Sequence, residues 1–306
     1  MIEIRRVLCP IDFSEYSRHA LHHAMEVARW YRSNLTVLHV VSQLVTADGP
    51  GVPLSDADRD QLLAEMRCFT GEVPPEVQVA FVLRQASDVR NEIVSLARSL
   101  MSDLLVIGSH GRSGFERLLL GSVTEKVVRK SPCPVMVVPA HSAAAAGPGL
   151  IGSGRPHVLC AVDFSDASLA ALEYAISLSE EADADLLLLH SIEAPPELRE
   201  HIPVPPDFDV ARRHAEARAE CLNRLRTLVP QSARTFCHVE TDVAEGAAYR
   251  QILRTASEQQ ADLIVMGVHG RGAVGLLLFG SNTARVIRAA TCPVLIVPPL
   301  TGRDGI

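Results

Sequence analysis

Short apolar runs alternate with longer segments of helical periodicity along the whole chain. Runs such as DLLVIG and DLIVMG are apolar at nearly every position, which is typical of parallel strands that helices cover on both faces. The alternation of strand and helix predicts right-handed crossovers and a doubly wound α/β sheet. In the first half, the pattern predicts strands near 6–11, 35–41, 77–83, 103–108 and 134–138, and helices near 15–32, 55–69, 88–100 and 122–130.

The same pattern occurs twice, so the chain contains an internal repeat. VLCPIDFS matches VLCAVDFS, which pairs Asp12 with Asp163, 151 residues apart. Farther along, Asp103 pairs with Asp262, 159 residues apart, so eight residues were gained in between, and we expect them in the proline-rich segment 193–207. The second half repeats the strands near 157–162, 185–191, 235–240, 262–267 and 293–297.

The repeat divides the chain into two predicted domains, 1–140 and 157–306. The linker between them, 141–156, is rich in Ala, Gly and Ser and has no periodicity. In each domain we expect a Rossmann-like parallel sheet of five strands in the order 3-2-1-4-5. The closing strands, PVMVVPA and PVLIVPP, are apolar and are expected at sheet edges, where an unpaired edge invites another strand.

Composition narrows the class of protein. Of 306 residues, 47% are hydrophobic and 21% are charged, which fits a soluble globular protein. A net charge of -7 argues against nucleic acid as a partner. No secretory signal or membrane span is expected, because the N-terminus lacks an apolar h-region and no uncharged apolar run reaches about 18 residues. Seven cysteines without a CxxC pair favour a reduced, cytoplasmic location.

Glycine residues recur at one spacing after the fourth strand of each domain. The spacing is Gly-x2-Gly-x9-Gly-Ser, at Gly108, Gly111 and Gly121 in the first copy and at Gly267, Gly270 and Gly280 in the second. A backbone without Cβ atoms turns sharply and brings its N–H groups close to phosphate oxygens. The third glycine precedes the last helix, whose free amides and positive dipole end favour an anion. Alternatively, these residues are only turn glycines and an N-cap serine without a ligand role. This alternative is less favoured because the whole spacing occurs twice.

The loop differs from two better-known phosphate loops. It lacks the GK[ST] of a Walker A motif, and it follows strand 4 rather than strand 1, unlike the dinucleotide GxGxxG. With PIDFS at 10–14, LHV after the second strand and the closing CPVMVVP, the sequence resembles a tandem universal stress protein of the nucleotide-binding branch. The resemblance implies an adenine nucleotide alpha hydrolase-like fold, bound ATP (or AMP or ADP) with Mg²⁺ as a counter-ion, and closing strands that pair the two copies as an internal pseudo-dimer or form a homodimer.

The resemblance also implies the residues around the nucleotide, with Asp12 and the Val40 backbone at adenine or ribose and the glycine loop along the phosphates. In the first domain they are Pro10, Asp12, Val40, Gly108, His110, Gly111, Arg112, Gly121, Ser122, Val123 and Thr124. In the second domain they are Ala161, Asp163, Ser191, Gly267, His269, Gly270, Arg271, Gly280, Ser281, Asn282 and Thr283. For Arg112 and Arg271, a solvated loop position is an equal alternative to phosphate contact.

The two copies depart from each other at the edge of this predicted site. Ala161 stands where the first copy has Pro10, and Ser191 replaces the usual valine near adenine. At the turn after the third strand, Ser87 corresponds to Gly246. None of these changes removes a phosphate donor, so we expect both sites to bind, with different affinities.

Catalytic and metal sites are less favoured. Four histidines recur in both copies, but no HxH, HExxH or Cys/His pair at zinc spacing accompanies them, so we expect no metal site built from protein ligands alone. No Ser-His-Asp or Cys-His group can be assembled around the Asp residues. The leading hypothesis is an ATP-binding cytoplasmic stress-response sensor or regulator with one nucleotide site per domain. The alternatives are a slow ATPase or phosphotransferase using the same cleft, and an interaction scaffold that needs no nucleotide.

Overall fold

The computed structural model describes residues 2–43, 53–111, 120–139, 155–192, 210–268 and 280–299. The strands are β1 (Arg6–Ile11), β2 (Asn34–Ser42), β3 (Gln78–Ala86), β4 (Leu104–Gly108), β5 (Val135–Val138), β6 (His157–Ala161), β7 (Asp185–Ile192), β8 (Val239–Glu245), β9 (Leu263–Gly267) and β10 (Val294–Val297). The helices are α1 (Glu15–Trp30), α2 (Asp56–Thr70), α3 (Val89–Ser99), α4 (Ser122–Lys130), α5 (Asp166–Glu181), α6 (Val210–Leu228), α7 (Ala233–Phe236), α8 (Ala248–Glu258) and α9 (Ser281–Ala289).

The strands form one sheet in the order β3-β2-β1-β4-β5-β10-β9-β6-β7-β8. Each half therefore has the predicted order 3-2-1-4-5, and its strand pairs are parallel. The doubly wound α/β fold predicted from the alternation of strands and helices is confirmed. The halves are joined by β5 and β10, which pair antiparallel with Val294 opposite Val137 and Leu295 opposite Met136.

The antiparallel junction decides where the two halves point. The closing strands, expected at sheet edges, lie at the edge of each half but at the centre of the complete sheet. All strands within one half run in one direction, and the junction reverses that direction in the other half. The carboxyl ends of β1 and β4 therefore lie at the opposite end of the strands from those of β6 and β9. Because ligands of such sheets bind at carboxyl ends, the two predicted sites face away from each other.

Apolar side chains cover the sheet on both faces. Buried residues of α1, α2, α5 and α6 pack with one face, and those of α3, α4, α8 and α9 pack with the other. Each cluster contains residues of both halves, so the core continues across the β5–β10 junction. Among the described helices, none combines the length and the apolar composition needed to cross a bilayer.

Helix α1 shows how the sequence pattern forms an element and joins the halves. Its buried residues recur at helical spacing and include Ala20, Leu21 and Ala24, so one face packs on the sheet. At its C-terminal end, the Tyr31 hydroxyl lies 2.9 Å from Ser177 Oγ of α5, which makes a polar contact between the halves.

One predicted strand was misplaced. The apolar pattern predicted a strand near 235–240, but the structure has α7 there, and β8 begins only at Val239. The turn of helix forms because the Ala233 N–H bonds to Pro230 O, and burial of Ala233 and Cys237 holds it against the core. Within the predicted strand, Cys237 is buried at the C-terminal end of the short helix, whereas Phe236 is 63% exposed.

Candidate functional site

The turn after β1 places a carboxylate at the carboxyl edge of the sheet. Phe13 has a φ of 63°, a left-handed conformation that side chains rarely adopt, and this turns the chain sharply between Asp12 and Ser14. Asp12 Oδ1 accepts hydrogen bonds from the Ser14 N–H at 3.1 Å and from the Ser14 hydroxyl. The same hydroxyl caps α1 by accepting from the Ser17 N–H. The turn therefore fixes the carboxylate and starts the helix.

The second copy builds the same turn. Phe164 also has a φ of 63°, and Asp163 Oδ1 accepts from the Ser165 N–H at 3.0 Å. Ser165 caps α5 by accepting from the Ser168 N–H. The strained backbone is thus reproduced in both halves, which is typical of a position under functional constraint.

Histidines from the second strand of each half support these turns. His39 Nδ1 lies 2.8 Å from Ile11 O, and His190 Nδ1 lies 2.7 Å from Val162 O. Because a carbonyl oxygen only accepts, Nδ1 carries the hydrogen in both rings. The His39 ring also packs on Phe13, with centroids 4.6 Å apart. Each histidine thus ties the second strand of its half to the end of the first. In the described ranges, no group of three or more His, Cys, Asp and Glu residues is placed to hold a metal ion.

The first motif glycine permits close packing of a helix on the fourth strand. A Cβ at Gly108 would lie 3.0 Å from Tyr16 O, and one at Gly267 would lie 2.8 Å from the carbonyl carbon of Ala167. Both contacts involve the backbone of the first helical turn after the Asp turn. The structure thus shows that these glycines let the first helix of each half pack against the strand. Their predicted contact with phosphate stays a prediction.

The second motif glycine lies directly on the carboxylate. A Cβ at Gly111 would lie 2.6 Å from Asp12 Oδ2. The end of β1 and the loop after β4 are therefore neighbours, as the topological switch point requires, although they are about a hundred residues apart in sequence. The space that a side chain would fill is occupied by one carboxylate oxygen at the mouth of the crevice.

The third motif glycine begins a helix that its own side chains do not cap. Gly121 is the N-cap of α4, with no side-chain cap bond, and its N–H bonds to Ser109 O at 2.9 Å. Gly280 begins α9 in the same way, and its N–H bonds to Val268 O at 3.2 Å. In contrast, Ser14 caps α1. The two helix starts that follow the motif are thus left with first-turn amides for an anion.

The threonine of each helix start belongs to the fold through its side chain. The Thr124 hydroxyl is buried and donates to Gly108 O at 2.7 Å, and the Thr283 hydroxyl donates to Gly267 O at 3.1 Å. These bonds tie the helix to the end of the preceding strand. Because these hydroxyls bond to the fold, the predicted contribution of the two threonines to phosphate binding falls to their backbone N–H groups. The neighbouring Ser122 and Ser281 are exposed.

The predicted adenine side of the crevice differs between the copies. Pairing of β1 with β2 stops at Ile11 and His39, so Val40 lies one residue beyond the end of β1. In the second copy, the Ser191 hydroxyl donates to Gly246 O at 2.8 Å. This serine therefore ties its strand to the turn that carries Gly246, which has a φ of 120°.

The remaining predicted positions are placed as follows. Pro10 pairs opposite Leu38 and Ala161 opposite Leu189, so the alanine keeps the strand register. Val123 is half-buried, and so is Asn282. Arg112, His269, Gly270 and Arg271 lie outside the described residues, as do the linker residues 141–154 and the proline-rich segment 193–207.

His110 is the predicted site residue with an unmet hydrogen-bonding group. Its Nδ1 lies 3.0 Å from Ser109 Oγ, whereas its Nε2 is buried and has no hydrogen-bond partner among the residues that the structure describes. A buried polar atom of this kind is costly unless a ligand or water satisfies it. The residues present therefore fit a bound polar group beside the loop. In the second copy Val268 replaces Ser109, so this arrangement cannot be repeated there.

The sequence analysis did not identify the charged residues one turn inside α4 and α9, the helices that begin at the third motif glycine and are called the phosphate helices below. Lys126 of α4 bonds to Asp88 at the start of α3, with Nζ 2.8 Å from Oδ2. Hydrogen bonds from Lys126 and Arg90 hold the pKa of the Asp88 carboxyl well below its ordinary value. In the second copy, the guanidinium of Arg285 lies over the Tyr249 ring, 4.6 Å from its centroid. The signal that was available is the difference between the copies at these positions.

The buried cysteines do not supply a nucleophile. Burial raises the pKa of Cys133 to about 11 and the pKa of both Cys160 and Cys292 to about 12, and it also raises the pKa of Cys9. These thiols are protonated at neutral pH, and the thiolate is the reactive form. They pack in the apolar core.

The fold and the site together define a class. Each half is a Rossmann-like α/β domain with a doubly wound sheet. In each, a loop with spaced glycines joins strand 4 to a helix without a side-chain cap, and an Asp turn follows strand 1. A sequence model of the universal stress protein family matches residues 3–139 and 154–298. The chain belongs to the universal stress protein family, in a form with two domains in tandem.

Individual relatives agree with this assignment. A universal stress protein of Mycolicibacterium smegmatis is 26% identical over 301 residues, which are 96% of this chain and 97% of that protein. The Bacillus subtilis universal stress protein YxiE is 33% identical over 144 residues, which are 46% of this chain and 97% of that protein. The crystal structure of a universal stress protein from Archaeoglobus fulgidus DSM 4304 has a TM-score of 0.66 at 23% identity and covers 97% of this chain and 100% of that one. This last likeness supports the fold.

Proposed function

We propose that each half of this universal stress protein binds one adenine nucleotide, ATP in the first instance, and that the protein acts as a stress-response sensor or regulator in the cytoplasm. The observation that carries the proposal is the pair of helices, α4 and α9, that begin at a motif glycine without a side-chain cap. Their free amides and positive dipole ends favour phosphate. AMP and ADP would use the same amides. We also propose that the two nucleotide-binding domains span residues 1–140 and 157–306.

The groups around the crevice suit the rest of a nucleotide. Asp12 Oδ2 lies at the loop, against Gly111, while Oδ1 is held by Ser14, so a carboxylate oxygen faces the place where ribose hydroxyls would lie. The Val40 backbone, one residue beyond β1, supplies peptide groups for adenine. Carboxylate and hydroxyl oxygens of Asp12 and Ser122 are hard ligands that suit the Mg²⁺ that accompanies ATP.

A binding role is favoured over turnover by the way the polar groups are used. The Ser14 hydroxyl bonds to Asp12, and the Thr124 hydroxyl bonds to a backbone carbonyl. The Ser14 hydroxyl also caps α1 by accepting from the Ser17 N–H, so its bond with the Asp12 carboxylate belongs to the turn. The carbonyl that accepts from Thr124 is not a base that would activate a nucleophile. A slow ATPase or phosphotransferase in the same cleft is the alternative, and incubation of ATP and Mg²⁺ with the protein distinguishes the two by whether the recovered nucleotide is intact.

The decisive test removes one amide and keeps the helix. Ser122 is the first residue of α4, a position that proline favours, and Gly121 before it has φ -57° and ψ 137°, which proline accepts in its neighbour. Ser122→Pro therefore deletes an N–H without breaking the helix. The control Ser122→Ala removes only the hydroxyl. Ser281→Pro and Ser281→Ala are the matched pair in the second half, where Gly280 has φ -57° and ψ 133°.

Calorimetric titration with ATP gives the result. We expect two sites in the unchanged protein, and one site weakened about ten- to a hundredfold by each proline variant, because a hydrogen bond to a charged group contributes about 1.5–3 kcal/mol. The alanine variants should stay close to the unchanged protein. If no heat of binding is detected at millimolar ATP, or if the proline variants bind as well as their alanine controls, the proposal fails.

A further inference from the structure

In the first half, acidic residues surround the start of the phosphate helix. Lys126 lies one turn beyond Ser122, but its ammonium group is paired with Asp88, with Nζ 2.8 Å from Oδ2. Glu125, in the first turn of α4, forms a 3.0 Å ion pair with Arg129. The Lys126 ammonium group is thus matched by one carboxylate, and a second carboxylate, Glu125, precedes it in the helix.

In the second half, the same positions carry no acid. The counterparts of the two carboxylates are Ala247 and Ala284, and α9 has no acidic residue in its first turn. The counterpart of the lysine is Arg285, which is exposed and rests on the ring of Tyr249. Among the residues that the structure describes, no salt bridge to Arg285 occurs. Its charge is held in place by the aromatic ring and is not neutralised.

The difference in charge points to different ligands. Asp88, Arg90, Asn91, Glu125 and Lys126 together have a formal charge of 0, whereas their counterparts, Ala247, Tyr249, Arg250, Ala284 and Arg285, have +2. We propose that the second site discriminates in favour of nucleotides with longer phosphate chains, that the first site discriminates less between ATP and AMP, and that Arg285 is the residue that sets the difference. This inference rests on the proposed function, since it concerns the selectivity of the same sites.

Long-range Coulomb interactions set the expected size. Two elementary charges of difference, acting at about 10 Å on the additional charges of ATP relative to AMP, favour ATP at the second site by about tenfold more than at the first in low salt. Screening reduces the effect strongly at about 0.15 M salt, where the Debye length is about 8 Å. The selectivity of the second site should therefore fall with salt more steeply than that of the first.

The experiment measures the ATP and AMP affinities of one site at a time in the full chain. Ser122→Pro leaves the second site to be titrated, and Ser281→Pro leaves the first. In the Ser122→Pro background, Arg285→Gln should reduce the preference for ATP over AMP about threefold at low salt, whereas Arg285→Lys should retain it. Arg288→Gln, in the last turn of the same helix, is the control and should have little effect. Thermal melts confirm that each variant is folded.

The outcomes separate the inference from the function. If both sites bind ATP but Arg285→Gln leaves the ratio of AMP to ATP dissociation constants unchanged, or if the first site is the more selective one, the inference is wrong and the proposed function stands. If neither background binds ATP, both are wrong. In the converse test, Glu125→Gln in the Ser281→Pro background should raise the preference of the first site for ATP, and a decrease would contradict the electrostatic argument.

Discussion

Replacement of Gly267 by alanine tests the packing of α5 on β9. The added Cβ would lie 2.8 Å from the carbonyl carbon and 2.9 Å from the Cβ of Ala167, and 3.0 Å from the backbone nitrogen of Ser168. Ordinary contacts begin at 3.4 Å, so the first turn of α5 has to move by roughly 0.6 Å. This turn cannot yield freely, because Ser165 caps it.

The magnitude follows from two opposing effects. Overpacking of a well-packed core costs about 1–3 kcal/mol, whereas alanine in place of glycine returns about 0.4–1 kcal/mol by restricting the unfolded chain. The net loss is about 1–1.5 kcal/mol, which lowers the Tm of a domain of this size by roughly 3–5 °C. At Gly108 the closest contact is 3.0 Å, to Tyr16 O, so the displacement is smaller and the two effects nearly cancel.

Differential scanning calorimetry of Gly267→Ala and Gly108→Ala, without nucleotide, provides the assay. We expect a lower Tm for Gly267→Ala and a Tm within about 2 °C of the unchanged protein for Gly108→Ala. Gly108→Ala serves as the matched control, because it has the same motif position and the same substitution. A Gly267→Ala protein as stable as the unchanged protein would refute the assignment of this glycine to helix packing.

Three further predictions concern single contacts. Thr124→Val leaves buried Gly108 O without its 2.7 Å donor, so the free energy of urea unfolding should fall by about 1–3 kcal/mol. Tyr31→Phe removes the hydroxyl that contacts Ser177 between the halves and should cost about 1 kcal/mol, measured by calorimetry. The pKa of Asp88 is lowered by its cationic partners, so the stability that its ionised form contributes is present above pH about 4 and is lost as the pH falls further; the Tm difference between the unchanged protein and Asp88→Asn should narrow accordingly.

Each of these has a contrary result. Thr124→Ser retains the hydroxyl and should be closer to the unchanged protein than Thr124→Val; the reverse order would mean that packing of the methyl group dominates. An unchanged melting profile for Tyr31→Phe would show that the contact does not couple the halves. A Tm difference for Asp88→Asn that is constant from pH 7 to 3 would show that the carboxylate charge contributes nothing there.

Much of each half was predictable because its signals are local or repeated. The strand runs and the period of the helices depend on residues close together in sequence, so the order of elements was predicted correctly. The glycine spacing was visible because it occurs twice. The strand near 235–240 was misplaced because periodicity does not distinguish a short strand from a short helix. Burial of Ala233 and Cys237 favours the helix.

The sequence by itself determined the duplication, the α/β class and the loop that faces the Asp turn. The resemblance implied that the closing strands pair the two copies, but only the tertiary structure decided that β5 and β10 pair antiparallel, so that the sites face opposite ways. Three further features were visible only in the structure. Gly108 and Gly267 let a helix pack closely on the strand, and the Thr124 hydroxyl bonds to a backbone carbonyl. Arg285 stacks on Tyr249 and forms no salt bridge within the described residues. The reason is that these outcomes depend on which atoms meet across long separations in sequence, where backbone direction, close approach and charge pairing are set by the packed chain.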